Sequence, residues 1–131
     1  MIKAVLFDLI GTTIKTSDPD FVLTCFKKAF LQHGIEANSG ILKINRGKNK
    51  LLMIQEVLKA QGLPFTNSIQ ILNSFNDVMH DGMVNFSEAE GVKEVFSFLS
   101  VKKIHIGVGT GLSESLFADI FNHLGWGKYN I

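Results

Sequence analysis

The chain has 131 residues, of which 46% are hydrophobic and 19% are charged, so it can form one globular domain with a modest core. The formal net charge is +1, which excludes a strong attraction to nucleic acid or to a membrane surface. Its single cysteine, Cys25, excludes an intramolecular disulfide and a cysteine-based zinc cluster. No apolar run is long enough to span a membrane, and Asp8 interrupts the apolar centre that a signal peptide would need. We therefore expect a cytoplasmic protein.

The first predicted element is a strand from Lys3 to Leu9. The apolar run from Ala4 to Phe7 does not alternate with polar residues, which is typical of a parallel-sheet strand buried on both faces. The run ends on Asp8, and a Gly-Thr-Thr turn follows. In parallel sheets, ligands bind beyond the carboxyl ends of the strands. A charge there is costly unless it is paired, so Asp8 is the first candidate functional residue.

Apolar residues spaced three and four apart predict three helices, over about residues 18–34, 48–61 and 66–82. Asp18 is expected to cap the first helix, with Pro19 in its first position and Gly34 in a left-handed conformation at its end. Cys25 lies in the apolar stripe of this helix and is interpreted as a core residue rather than a nucleophile. Residues 38–49 are predicted to be a polar link.

The remaining chain is predicted to contain a helix over residues 87–99, a strand over 104–108 and a last helix capped by Ser113. In the first of these helices, four residues are expected to face inward: Val92, Val95, Phe96 and Leu99. The order of strand, helical block, helix, strand and helix indicates an α/β fold with an inserted all-α cap. We expect residues 1–15 and 86–131 to form the sheet-containing core, and residues 16–85 to form the cap.

Asp8 suits two kinds of chemistry. Carboxylates act as covalent nucleophiles in phosphoryl transfer, and they also bind Mg²⁺ together with water and substrate phosphate. The amides of Leu9 and Ile10 can donate to phosphoryl oxygens where the chain leaves the strand. The alternative is that Asp8 only caps a turn, and the residues alone leave both interpretations open.

The stretch from Val5 to Thr13 resembles the first motif of the haloacid dehalogenase superfamily of phosphohydrolases. It is most similar to phosphonoacetaldehyde hydrolase and its phosphonatase-like relatives, in which an apolar residue, here Ile10, precedes Gly-Thr-Thr. Residues 104–111 resemble the strand-and-threonine second motif, and residues 124–126 match a Leu-Gly-Trp helix end found in this branch. Residues 90–92 resemble the segment that re-enters the core from the cap.

The resemblance implies an incomplete Rossmann-like parallel sheet with a helical cap, and Asp8 as the aspartyl nucleophile. It also implies Mg²⁺ bound by Asp8 and the Ile10 carbonyl, with the phosphoryl group held by Thr110, Gly111, Gly11 and Thr12.

A cap lysine forms a Schiff base with an aldehyde substrate in the phosphonatase branch, and Lys50 is the best positional match. The histidine expected three residues later is replaced by Met53. A lysine imine needs a depressed pKa, which neighbouring cations such as Arg46 and Lys48 can help to produce. One alternative interpretation is a solvated basic helix start, and another is that basic residues of this segment contact an anionic group of the substrate.

Two departures from the family pattern affect the expected activity. The third and fourth motifs belong to the C-terminal half of the family, so the resemblance implies a C-terminally truncated chain. Ile10 replaces an aspartate that acts as general acid and base, so hydrolysis of ordinary phosphate esters should be weak. The first strand would also lack a neighbour on one side, which predicts a homodimer or a complementing C-terminal half.

The leading hypothesis is therefore a phosphonatase-like hydrolase acting on a small phosphorylated or phosphonate metabolite. The alternative is a non-catalytic or truncated member that binds a phosphate ligand or a protein partner. A third hypothesis is a generic α/β binding domain unrelated to phosphate.

Overall fold

The computed structural model describes all residues of the chain, 1–131. Four strands and six α-helices form in this order: β1 (Ala4–Asp8), β2 (Ile14–Thr16), α1 (Phe21–Leu31), α2 (Ser39–Ile44), α3 (Lys50–Ala60), α4 (Ser68–Asp81), β3 (Phe86–Glu88), α5 (Val92–Val101), β4 (His105–Gly109) and α6 (Glu114–His123). The predicted α/β class, with a parallel sheet and helices, is confirmed. No helix is both long enough and apolar enough to cross a membrane.

The parallel sheet contains β1 and β4, paired in register from Ala4–His105 to Asp8–Gly109. One face of this sheet packs on α5, where the rings of Phe7 and Phe96 lie 5.4 Å apart. On the other face Leu6 is 76% exposed, because no helix covers it. The expectation that β1 is buried on both faces is therefore wrong.

The two edges of the parallel sheet differ. On the outer edge of β4, the Ile106 N–H donates to the Asn130 carbonyl at 2.8 Å, so the C-terminal segment covers part of this edge. β1 pairs with β4 alone, and its second edge has no strand beside it. The expectation of a partner depends on an unpaired edge of β1, and the structure contains that edge.

A second, antiparallel ribbon joins the cap to the sheet. β2 and β3 pair in register from Ile14–Glu88 to Thr16–Phe86, and Ile14 and Phe86 are buried. The helix predicted over residues 87–99 is therefore wrong at its start, because residues 86–88 extend along β2 and α5 begins only at Val92. Val95 is also 44% exposed rather than inward-facing, because the 92, 96 and 99 positions already form the buried side of α5.

Four helices, rather than the three predicted, form the cap. The polar link contains α2, whose first turn is capped by the Asn38 side chain accepting from the Ile41 N–H at 3.1 Å. α1 begins later than predicted, because the Asp18 carboxylate accepts from the Asp20 N–H and so forms a turn before the helix. The cap helices contribute a large part of one continuous apolar core, and within it Phe26 stacks on Phe75 with ring centroids 4.1 Å apart.

Candidate functional site

A cavity of about 470 Å³ lies where the carboxyl ends of β1 and β4 meet the cap. Six of the seven residues predicted to form the site line this cavity: Asp8, Ile10, Gly11, Lys50, Thr110 and Gly111. Thr12 is exposed and does not line it. Residues more than a hundred positions apart in the sequence therefore meet in one space.

The turn after Asp8 is held by hydrogen bonds to three carbonyl groups, one of which is that of Ile14, accepting from the Gly11 N–H at 2.8 Å. The Leu9 carbonyl accepts from the backbone N–H groups of Thr12, Thr13 and Ile14, at 3.2, 2.9 and 3.1 Å. The buried Thr13 hydroxyl donates to the Asp8 carbonyl at 3.0 Å. Gly11 allows this reversal because its φ is +87°, a conformation that L side chains rarely adopt. The turn thus fixes the backbone on which the Asp8 carboxylate is carried.

Thr13 is the structural residue that sequence reasoning missed in this turn. The Gly-Thr-Thr motif contains two hydroxyls. The sequence predicts that Thr12 contacts the phosphoryl group, and it predicts no role for Thr13. In the structure Thr13 is 2% exposed and turned inward. The second hydroxyl of the Gly-Thr-Thr motif, that of Thr13, is the only signal of this role in the sequence. Which of the two hydroxyls turns inward depends on the geometry of the turn.

Two backbone donors that line the cavity are unused. The N–H groups of Ile10 and Gly111 form no hydrogen bond within the chain, whereas Leu9 is fully buried and does not line the cavity. The Thr110 hydroxyl accepts from the Leu112 N–H at 3.2 Å, which orients it and leaves its own proton available. Groups of unpaired N–H donors at the ends of parallel strands favour the binding of an anion.

Lys50 enters the cavity from the cap as the first residue of α3. This helix start is capped by the Asn49 side chain, which accepts from the Leu51 and Leu52 N–H groups. The Lys50 ammonium lies 6.0 Å from the centroid of the Phe26 ring. Burial lowers the pKa of Lys50, and the charge of Asp8 opposes this effect to a smaller extent. Lys50 is therefore a better candidate for a neutral amine than an exposed lysine.

Gly111 brings the exit of β4 against the start of α3. A Cβ placed on Gly111 would lie 3.3 Å from the Lys48 carbonyl oxygen and 3.8 Å from the Lys50 amino nitrogen. The first of these distances is tighter than ordinary van der Waals contact. A glycine at this position therefore lets the sheet end and the cap approach each other across the cavity.

The cavity lining carries more positive than negative charge. Three cations line it, Lys15, Arg46 and Lys50, against a single carboxylate, Asp8. The Arg46 guanidinium forms an exposed ion pair with Asp20, with 3.6 Å between Nη2 and Oδ1. The sequence predicts that basic residues of the segment from Arg46 to Lys50 contact a substrate anion, but it predicts no role for Lys15, because the arrival of Lys15 at the cavity depends on the fold.

The donor set for a metal is small. Asp8 is the one carboxylate that lines the cavity, and no group of three His, Cys, Asp or Glu side chains lies together anywhere in the chain. The Ile10 carbonyl accepts no backbone hydrogen bond and can serve as a second oxygen ligand. Mg²⁺ commonly uses one or two carboxylates and completes its shell with water and substrate phosphate, so Asp8 and Ile10 fit part of such a site.

Neither a protein-family model nor a curated protein matches the sequence. Several solved structures match the fold. A phosphonoacetaldehyde hydrolase-like protein from Oleispira antarctica aligns with a TM-score of 0.79 and 20% identity over 98% of this chain and 51% of its own. A hydrolase from Pseudomonas syringae aligns with a TM-score of 0.79 and 16% identity over 98% of this chain and 60% of its own. A protein described as a haloacid dehalogenase-like hydrolase from Bacteroides fragilis aligns with a TM-score of 0.71 and 15% identity over 93% of this chain and 57% of its own.

This chain therefore spans between about half and three-fifths of the length of these three proteins. At identities of 20% or less, the likeness concerns the fold and not the activity. The chain has the fold of haloacid dehalogenase-like hydrolases.

Proposed function

We propose that the chain binds a small phosphorylated or phosphonate compound and hydrolyses it through Asp8 as the nucleophile. The observation that carries this proposal is the cavity itself, which Asp8, Thr110 and Lys50 line together. A carboxylate nucleophile and a hydroxyl at the ends of two parallel strands suit covalent phosphoryl transfer, and the cap adds an amine that can react with a carbonyl group.

In the proposed reaction, a carboxylate oxygen of Asp8 attacks phosphorus, and the bond from phosphorus to the leaving group breaks. The phosphoryl oxygens accept hydrogen bonds from the unused N–H groups of Ile10 and Gly111 and from the Thr110 hydroxyl. Water then cleaves the aspartyl phosphate and regenerates Asp8. Mg²⁺ held by Asp8 and the Ile10 carbonyl would neutralise part of the charge on the phosphoryl oxygens.

Ile10 and Lys50 together favour a phosphonate over a phosphate ester. The cavity has no second carboxylate that could protonate an ester leaving group. A phosphonate with a neighbouring aldehyde needs another device, since the electron pair of the broken C–P bond must be accepted by carbon. The Lys50 amine can condense with the aldehyde, releasing water, and the protonated imine accepts that electron pair as an enamine. Hydrolysis of the enamine then returns the amine and the aldehyde product.

The alternative function is binding without turnover. It is favoured by the single carboxylate in the cavity, because two acidic groups usually share the work of acid–base catalysis and metal binding. In that case the same groups hold a phosphate ligand, and the chain acts as a ligand-binding or protein-interaction module.

Phosphate release distinguishes the two functions. The purified chain is incubated with Mg²⁺ and either phosphonoacetaldehyde or p-nitrophenyl phosphate, and inorganic phosphate is measured over time. We expect faster release from the phosphonate, loss of both activities in Asp8→Asn, and selective loss of the phosphonate activity in Lys50→Met. Binding of inorganic phosphate without release from either compound would support the alternative. Absence of both binding and release would contradict both functions.

We also propose that the unpaired edge of β1 is covered by a second copy of the chain or by a complementing C-terminal half. The support is the free edge and the exposed Leu6 beside it. Light scattering of the purified chain tests the first partner. A monomer at high concentration would exclude the homodimer.

A further inference from the structure

When Mg²⁺ is bound, its two charges and that of Lys50 balance Asp8 and a phosphoryl dianion. Arg46 and Lys15 therefore add positive charge that one phosphoryl group does not need. Lys50 lies close enough for the charge of Asp8 to act on it. Arg46 and Lys15 form no ion pair with Asp8, yet both line the same cavity. Two cations are thus available to a second negative group.

Arg46 is held on an ordered turn. The buried Asn45 side chain donates to the Ile41 carbonyl at 2.8 Å and accepts from the Lys48 ammonium at 2.7 Å. Gly47 completes the turn with a φ of +92°. Lys48 is therefore occupied by this turn, whereas the Arg46 guanidinium is engaged only by the exposed carboxylate of Asp20.

Arg46 and Gly111 mark different parts of the cavity. Arg46 reaches Asp20, directly before α1, whereas Gly111 lies against Lys48 and Lys50 at the start of α3. The apolar lining contributed by α1 consists of Val22, Leu23 and Phe26. A ligand with two anionic groups joined by a short carbon chain matches this distribution of charge and apolar surface.

We infer that Arg46, assisted by Lys15, binds a carboxylate of the substrate, so that the substrate class is small phosphonates bearing a carboxylate. The guanidinium presents paired donors that match the two oxygens of a carboxylate, and its 3.6 Å ion pair with Asp20 is too long for a hydrogen bond, so these donors are free of hydrogen bonds. This inference rests on the proposed function, which places the phosphoryl group at Asp8.

Two matched ligands test the inference by calorimetry in the presence of Mg²⁺. The first is 3-phosphonopropionate, and the second is propylphosphonate, which lacks the carboxylate. We expect the first to bind the wild-type chain about tenfold more tightly, since a charge-assisted pair is typically worth about that factor. Arg46→Gln should remove this ratio, and Asp20→Asn should increase it by freeing the guanidinium.

Lys43→Gln is the matched control, because Lys43 is an exposed cation of the same segment that does not line the cavity. It should keep the wild-type ratio. Equal binding of the two ligands by the wild type, or an unchanged ratio in Arg46→Gln, would overturn the inference and leave the proposed function intact. If neither ligand binds, the proposed function fails, and the inference fails with it.

Discussion

The helical cap and the parallel sheet differ in how completely this one chain buries them. In the cap, Phe26 and Phe75 are fully buried and stacked on each other, and Leu58 is 1% exposed. In the sheet, β1 contains no buried residue, and Leu6 is 76% exposed. The cap helices therefore lie around the fully buried part of one continuous core, whereas the sheet has one covered face, one open face and one open edge. The candidate site joins these two unequal regions.

The largest expected effect comes from removing the same side chain in the two regions. Leu58→Ala in the cap should lower the free energy of unfolding by about 2–5 kcal/mol, because it leaves a cavity in a close-packed core. Leu6→Ala should change it by less than about 0.5 kcal/mol, because surface substitutions seldom matter more. Urea unfolding followed by circular dichroism measures both. A large loss of unfolding free energy in Leu6→Ala would show that a partner covers the open face. The stated difference between the cap and the sheet would then be wrong.

Gly111→Ala tests the contact between the sheet end and the cap. The added Cβ would lie 3.3 Å from the Lys48 carbonyl oxygen, so we expect a loss of about 1 kcal/mol in stability and weaker binding of inorganic phosphate. Gly109→Ala is the matched control, because its Cβ would meet only the Phe7 carbonyl, at 4.0 Å. Thermal unfolding with and without phosphate measures both variants. Equal behaviour would mean that the cap does not close on Gly111.

The pH dependence of Lys50 tests whether the cap places an amine in the field of Asp8. Burial lowers the pKa of Lys50 below the ordinary 10.5, so its neutral fraction appears at lower pH than that of an exposed lysine. Reductive labelling with an aldehyde and cyanoborohydride, read by peptide mass spectrometry, should modify Lys50 ahead of Lys59 at mildly alkaline pH. Asp8→Asn removes the opposing charge, so it should lower the pKa of Lys50 further and accelerate its labelling. Slower labelling in Asp8→Asn would contradict this arrangement.

The same shift has a consequence for stability. Because the unfolded chain holds this proton up to higher pH than the folded chain does, the charged Lys50 lowers stability at neutral pH. This penalty is relieved as pH rises from the folded pKa towards 10.5. Lys50→Met should accordingly stabilise the chain at neutral pH and lose this advantage in strongly alkaline solution.

The smallest effect is expected at a second contact between cap and core. His80 of α4 and Asp119 of α6 lie 2.7 Å apart, but their side chains are 62% and 37% exposed. Exposed pairs of this kind contribute at most about 1 kcal/mol, so Asp119→Ala should change urea unfolding only slightly. A larger loss would show that the position of the cap depends on this contact more than on the apolar core shared by cap and sheet.

The sequence was most informative where a pattern is local. The apolar spacing located α1, α3 and α4, Gly34 is left-handed as predicted, and Ser113 caps α6 through the Leu116 N–H. β2 and β3 escaped prediction because three residues are too few to show a period, and their pairing joins distant parts of the chain. α2 also escaped prediction, because its six residues are too few to show a helical period.

For the site, the resemblance to a family pointed to Asp8, Lys50 and Thr110, and the fold brings these residues to one cavity. The parts that could not be predicted depend on three-dimensional placement. Whether Thr12 or Thr13 turns inward is decided by the hydrogen bonds of the turn, and the arrival of Lys15 in the cavity is decided by how the chain folds around the end of the sheet.

The register of the parallel sheet also determines the order in which the molecule can assemble. Ala4 pairs with His105, so β1 must wait for a partner about a hundred residues later in the chain. At typical rates of synthesis this delay is on the order of ten seconds, and pairings of such long range also form slowly. The cap helices can pack together meanwhile, whereas the apolar β1 stays unpaired and open to aggregation. The turn that carries Asp8 would then be one of the last parts of the molecule to reach its final geometry.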